Sequence, residues 1–227
     1  MKCPRCVQVI HRGASLCPHC GFGLGEADER FGAEDVVLRR LGDAAGLIRA
    51  KDRPMVTAAL DKFCKRFPQL FFAVYTASRH GGLNLRQFGF WLLNRAAFED
   101  VPVDRPNEAG ILLVIDADAK SAAVTWGYML DPFLTEEDTF LCLSRAHAYW
   151  LEGRFADGIV RMVAQLEKIL RKKAAQARRD PERFERKVAP PPRTGEIARR
   201  IREGHKQHSA ARSTVEQSAA GKTEVAG

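Results

Sequence analysis

The chain has 227 residues, 45% of them hydrophobic and 28% charged, with a net charge of +8 at pH 7. That is enough apolar material for one medium-sized core with extra segments, and no run approaches the roughly 20 apolar residues of a membrane-spanning helix. The positive charge is concentrated: Lys168–Arg212 hold fifteen Lys/Arg against five Asp/Glu, leaving 21 basic and 23 acidic residues elsewhere. The folded part is therefore close to neutral, which argues against a nucleic-acid-binding domain as its main body.

The first element is a pair of CxxC motifs, Cys3-Pro4-Arg5-Cys6 and Cys17-Pro18-His19-Cys20. A CxxC turn aims two thiolates at one point, and a second turn completes a four-sulfur tetrahedral set suited to Zn²⁺. The ten intervening residues suffice for a short hairpin that brings the pairs together. A redox CxxC or a pair of disulfides fits less well, because a redox motif normally occurs once, beside a βαβ pattern. The reading is a structural zinc ribbon over residues 1–25, closed by the turn glycines of Gly21-Phe22-Gly23-Leu24-Gly25 and leaving on a flexible exit. Ligands that begin at residue 3 leave no room for the apolar stretch of a cleaved signal peptide. Thiolates kept for a metal point to a reducing compartment, so a cytoplasmic location is expected.

Beyond the ribbon, the sequence predicts a short helix over 34–48 and a second from Pro54 to Phe67. The second has Pro54 in its first turn, with Val56, Leu60, Phe63, Cys64 and Phe67 on one face. Leu70–Tyr75 is a continuous apolar run, as in a central strand covered on both sides. Arg79-His80-Gly81-Gly82 follows as a polar turn, then an aromatic helix over 84–94 and an irregular loop holding Pro102 and Pro106. Ile111–Ile115 and Ala122–Trp126 are two more strands joined by the polar turn Asp116–Lys120. Thr135 with Asp138 three residues on opens a helix to about Leu151. Ile159, Met162, Val163, Leu166, Ile169 and Leu170 mark the buried stripe of a last helix. Cys64 and Cys142 lie in helical patterns as small buried hydrophobes, and Trp91, Trp126 and Trp150 are packing residues. Residues 180–227 are polar, basic and poor in large apolar groups, so a disordered tail is expected, with transient helix at Glu196–Glu203. The resulting division is 1–25 ribbon, 26–178 α/β domain and 179–227 tail.

Several segments resemble the TPM domain, the α/β module shared by thylakoid-lumen photosystem-repair proteins and many bacterial proteins. They are Asn107-Glu108-Ala109-Gly110 with the strand after it, Trp126-Gly127-Tyr128-Met129-Leu130-Asp131, Leu134-Thr135 with the following acids, and Arg154-Phe155-Ala156-Asp157-Gly158-Ile159. Asp131 stands where that family usually has Glu. The resemblance implies a three-layer sandwich with a small mixed sheet between helices, calcium binding by acidic loops, and a modest acid phosphatase activity. Asp116, Asp118 and Asp131 are the candidate Ca²⁺ or Mg²⁺ ligands. Turn chemistry accounts for Asp116 and Asp118, and helix capping for Glu136, Glu137 and Asp138, without any ligand.

No nucleophile elbow or phosphate-cradling P-loop is present in the sequence. The preferred expectation is a non-enzymatic module for protein assembly or quality control, with a protein partner. The alternatives are a divalent-metal-dependent phosphatase using Asp131 with Asp116 and Asp118, and a nucleic-acid-associated factor using ribbon and tail. The tail offers charge but almost no aromatics for base stacking.

Overall fold

The computed structural model describes residues 2–10, 14–78 and 84–188. In chain order the first elements are α1 (Leu24–Phe31), β1 (Val36–Leu38), β2 (Leu41–Asp43), α2 (Arg53–Arg66), β3 (Phe71–Ala77), α3 (Leu85–Arg95) and β4 (Ala96–Phe98). Then come β5 (Gly110–Asp116), β6 (Ser121–Trp126), α4 (Glu136–Leu151), α5 (Phe155–Arg179) and α6 (Pro181–Val188). Short 3₁₀ turns at Ala50–Asp52, Asn107–Ala109 and Tyr128–Leu130 link some of them.

The main sheet has the order β2-β3-β5-β6, with β2, β3 and β5 parallel and β6 antiparallel to β5. Every residue of β5, and all of β3 but Tyr75, is buried. Their side chains alternate between two cores, as the strand period of two requires. Phe72, Val74, Ile111, Leu113 and Ile115 face α2, α4 and α5. Phe71, Ala73, Leu112 and Val114 face α3, α1 and the cysteine-rich segment. The architecture is therefore α/β in three layers, a small mixed sheet between helices. A separate parallel pair, β1 with β4, lies outside that sheet.

Helices α2 to α5 and strands β3, β5 and β6 lie where apolar periodicity placed them. Thr135 and Asp138 form a reciprocal capping box on α4, so those acids do open the helix. The segment read as a helix over 34–48 is instead β1, β2 and a turn at Gly46 (φ 66). A helix there would carry Gly42 and Gly46 in its interior at about 1 kcal/mol each. Pairing Leu41–Asp43 with Val74–Thr76 of the buried β3 is the stronger option. The start of the loop read as irregular between Glu99 and Glu108 holds its form, but its end is a 3₁₀ turn against Gly110.

The exit from the cysteine-rich segment is also not flexible. Gly25 lies inside α1, whose Ala27 is buried and whose Phe31 packs edge-on against Phe88. Residues 1–188 form one compact unit, so the boundary drawn between 25 and 26 falls within a helix of that unit. The chain is helical to Val188, which corrects the disorder expected from residue 180. The rest of the basic tail, with Glu196–Glu203, lies outside the described residues, as do the turn at 79–82 and His11.

Candidate metal centre

Each CxxC pair sits in its own small knuckle, and the two knuckles repeat each other. Lys2 bridges Val9 and Leu16 bridges Gly23, both antiparallel. Cys3 N–H donates to Gln8 O and Val7 N–H to Cys3 O, at 2.8 and 3.0 Å. In the second knuckle Cys17 N–H donates to Phe22 O and Gly21 N–H to Cys17 O, at 2.8 and 2.9 Å. Gly21 (φ 74) and Val7 (φ 64) occupy the same left-handed position; glycine takes it freely and valine does not. Each pair thus carries its own short hairpin.

This geometry gathers four sulfurs. Cys3 and Cys20 Sγ are 3.7 Å apart, Cys6 and Cys17 Sγ 3.6 Å, and all four lie within 4.8 Å of one another. Metal–sulfur bonds of about 2.3 Å in a tetrahedron place sulfurs about 3.8 Å apart, so the residues fit a metal ion. A disulfide needs about 2.05 Å, and all six cysteines are free. Cys3 and Cys17 are buried, Cys6 and Cys20 half-buried, and His19 is exposed and not needed as a ligand. Burial raises the Cys17 thiol, but the His19 and Cys20 backbone N–H groups, with the Cys6 and Cys3 thiols, outweigh it and bring it to about 6. The Cys20 thiol goes to about 12: the Phe22 N–H lowers it, while burial and the other three thiols raise it further. One sulfur gives up its proton readily and its charge then holds back the next, a conflict that a divalent cation resolves.

The metal-ready segment is packed down onto α3. Cys3, Ile10, Cys17 and Phe22 share a core with Phe88, Trp91 and Leu92, and the Phe22 and Phe90 rings are 5.7 Å apart. Arg5 makes a two-pronged contact with Glu26 of α1 at 2.8 and 2.9 Å. Lys2 reaches Glu136 at the start of α4 at 2.7 Å, and Arg86 meets the same carboxylate at 3.5 Å. Between these walls β6 lies at the edge of the sheet, in a groove of 540 Å³ lined by Lys2–Pro4, Arg86, Phe90, Ala122–Trp126, Glu136, Glu137, Thr139, Phe140 and Leu143. Sequence reading identified β6 but not this groove, because the groove depends on where the ribbon docks.

The acidic candidates do not converge. Asp116 Oδ1 accepts the backbone N–H groups of Asp118 and Ala119 at 3.0 and 3.1 Å, a turn-stabilising role. Its Oδ2 is buried with no hydrogen-bond partner among the described residues. The Ser78 hydroxyl donates to the Asp118 carboxylate at 3.0 and 3.1 Å. Asp131 is elsewhere: its Oδ1 accepts the Trp126 indole N–H at 3.1 Å. Burial, then the negative charges of Asp131 and Glu108, push the Tyr128 phenol up. Asp116 pairs with Ser121 and Ile111 with Trp126, so Asp131 lies near the opposite end of β5 from Asp116. A seven-residue strand is about 20 Å long. The expected joint site of Asp131 with Asp116 and Asp118 is therefore not formed, because the hairpin reverses the chain. Asp138 is taken up by its cap and by Lys173.

A buried carboxylate that the sequence did not single out is Asp43. It accepts Leu47 N–H at 2.9 Å, Ile48 N–H at 3.1 Å, the Thr76 hydroxyl at 2.6 Å and Arg53 at 2.9 Å. With both oxygens so occupied it fastens β2 to β3 and to the start of α2.

No family model and no curated protein matches the chain. Among solved structures, the N-terminal domain of a P. gingivalis protein, determined by NMR, is 20% identical. It covers 59% of this chain and 83% of its own, with a TM-score of 0.46. The BA42 protein of the psychrophilic bacterium Bizionia argentinensis is 11% identical, covering 56% and 83%, with a TM-score of 0.46. No helix among the described residues is long and apolar enough to cross a membrane.

Proposed function

We propose that the four sulfurs hold a structural zinc ion and that the chain is a TPM-like domain bearing a zinc ribbon. In this reading it is a non-enzymatic module that captures partner proteins in assembly or quality control. Four thiolates leave no open coordination position, which suits a folding role. The observation that carries the reading is the docking of the ribbon: Cys3 and Cys17 share a core with α3, and Lys2–Pro4 line the groove beside β6. A metal that shapes the ribbon would therefore also shape a surface for binding. The TPM assignment rests on the order of the Asn107–Ile115, Trp126–Asp131 and Arg154–Ile159 segments in the chain.

Metal analysis of the purified chain should find equimolar zinc, lost from a Cys6→Ser/Cys20→Ser double variant. In that variant amide exchange should quicken over 2–10 and 22–31 while β3 and β5 stay protected. Zinc retained by the double variant, or none in the parent, refutes the metal assignment. Metal-dependent hydrolysis of p-nitrophenyl phosphate would refute the non-enzymatic half.

The Asp116 Oδ2 atom favours one second reading, a weak divalent-cation site at the end of β5 with Asp118 as the companion carboxylate. Calorimetric titration with Ca²⁺ and with Mg²⁺ tests it. Binding should be present in the parent and absent from Asp116→Asn, and no heat in either protein removes it.

A further inference from the structure

Strand β6 ends the sheet, with one side of its backbone unpaired among the described residues. Such edges invite another strand, and proteins blunt them with charged residues, proline, bulges or a covering element. Ser121-Ala122-Ala123-Val124-Thr125-Trp126 has no charge and no proline. It pairs with β5 in unbroken register, so it carries no bulge. Its edge is instead recessed, with the ribbon and α3 forming one wall and α4 the other. The groove's 540 Å³ falls within the ~300–1,000 Å³ of ligand clefts.

Resting on the interaction-module reading, we propose that the β6 edge is the docking site for an extended, uncharged segment of a partner protein, which adds to the sheet as a fifth strand. Backbone hydrogen bonds would supply affinity and alternate side chains specificity. On one side of the added strand, side chains meet Phe90 and Pro4; on the other they meet Phe140 and Leu143. Ala122 and Ala123 are small and leave those side chains room. Phe140 is 72% exposed, a large apolar surface waiting for cover.

The charges choose the occupant. The rim holds two cations, Lys2 and Arg86, and two anions, Glu136 and Glu137, and Glu136 is already paired with both cations. A balanced rim gives no net attraction to a basic, acidic or nucleic-acid ligand, and a neutral apolar segment leaves those pairs in place. The walls also disfavour a second copy, whose own edge lies between the same walls.

The test starts from a phage-displayed library of random octapeptides selected on the full chain purified with zinc. An enriched peptide is then synthesised with capped ends and a fluorescein label. It should be uncharged and rich in β-branched and aromatic residues, and its binding should slow amide exchange at 121–126 but not at the opposite edge, 41–43. Methylating alternate peptide amides should weaken binding about tenfold or more in one phase and little in the other, because a ladder alternates. Phe140→Glu should weaken it about tenfold, the equivalent of ~1.4 kcal/mol. Leu151→Glu, also exposed on α4 but outside the groove, should not. Failure to enrich any such peptide, a methylation effect without phase, or binding that appears only as a concentration-dependent dimer overturns the proposal. Protection confined to 2–9 and 16–23 sinks the β6 assignment while leaving the interaction module standing. Phosphate-ester turnover sinks the module itself.

Discussion

Gly127 follows β6 and its N–H donates to Gly110 O at 3.0 Å, joining the 3₁₀ turns on either side of the hairpin. Its φ of −77 and ψ of 165 are open to any residue, so Gly127→Ala creates no backbone strain. A Cβ there would overlap Glu108, lying 2.5 Å from its Cα and nearer still to its carbonyl group. All three obstacles are backbone atoms, so no side chain can rotate away, and the two turns have to part. Overpacking costs about 1–3 kcal/mol, and a rigid obstacle places this variant near 3. For a domain of this size that lowers Tm by about 6–12 °C. Urea unfolding followed by Trp fluorescence, with calorimetry, measures it. Gly25→Ala is the control: it lies within α1 with nothing inside 4 Å of its Cβ, and should stabilise by up to about 1 kcal/mol. If Gly127→Ala changes stability by less than about 0.5 kcal/mol, the typical surface value, the close approach is not what requires glycine.

Three further outcomes are expected. Gly21→Ala, at φ 74 in open space, should destabilise the second knuckle by about 1–2 kcal/mol, whereas Val7→Gly at the matching position should be neutral or stabilising. Equal losses from both changes would deny that the knuckles are equivalent. Asp138 is raised by burial but lowered more by Lys173 and the Thr135 cap, and its folded pKa falls below 3.8. Its contribution is therefore complete above that value and lost as pH drops through the folded pKa. Asp138→Asn should be less stable than the parent near pH 6, with the gap narrowing as pH falls below about 4; a gap that does not narrow there counts against the ionic account. With zinc held as proposed, a strong zinc chelator should loosen residues 2–10 and 14–31 without unfolding the core around Phe63, Leu113 and Leu166, which contains none of the described residues of the cysteine-rich segment; one cooperative collapse of both would refute that separation.

The legible parts of the sequence were those in which one segment carries enough apolar residues to declare its own partner face. The α5 stripe and the unbroken β3 and β5 runs are of this kind; the four-cysteine spacing was legible for a different reason, since the ligand chemistry lies in the residues themselves. The three-residue strands β1 and β2 were illegible because their stability lies in distant partners, Ala96–Phe98 and Val74–Thr76, and not in their own composition. Gly25 hid α1, whose hold comes from Phe31 against Phe88 and Trp91. For the site, the thiolate set was readable and its docking surface was not. Asp131 is a different case: the reversal at Asp116–Lys120 was visible in the sequence, and it already carries a residue after β6 away from the turn.

Strand β3 leaves the ribosome well before β5, the longer of the two strands it lies between. Phe71 pairs with Gly110 and Ala77 with Asp116, so at ~5–20 residues per second the nascent Phe-Phe-Ala-Val-Tyr segment has only the short β2 beside it, along Val74–Thr76, for about 2–8 s. Helix α3 follows directly and puts Phe88, Trp91 and Leu92 on the Phe71–Ala73 face, while α2, already made, brings Phe63 to within 5.6 Å of Phe72 on the other. The helices that sandwich β3 in the finished protein are thus also its escorts during synthesis. Loosening either should show as aggregation during expression before it shows as a lower melting temperature.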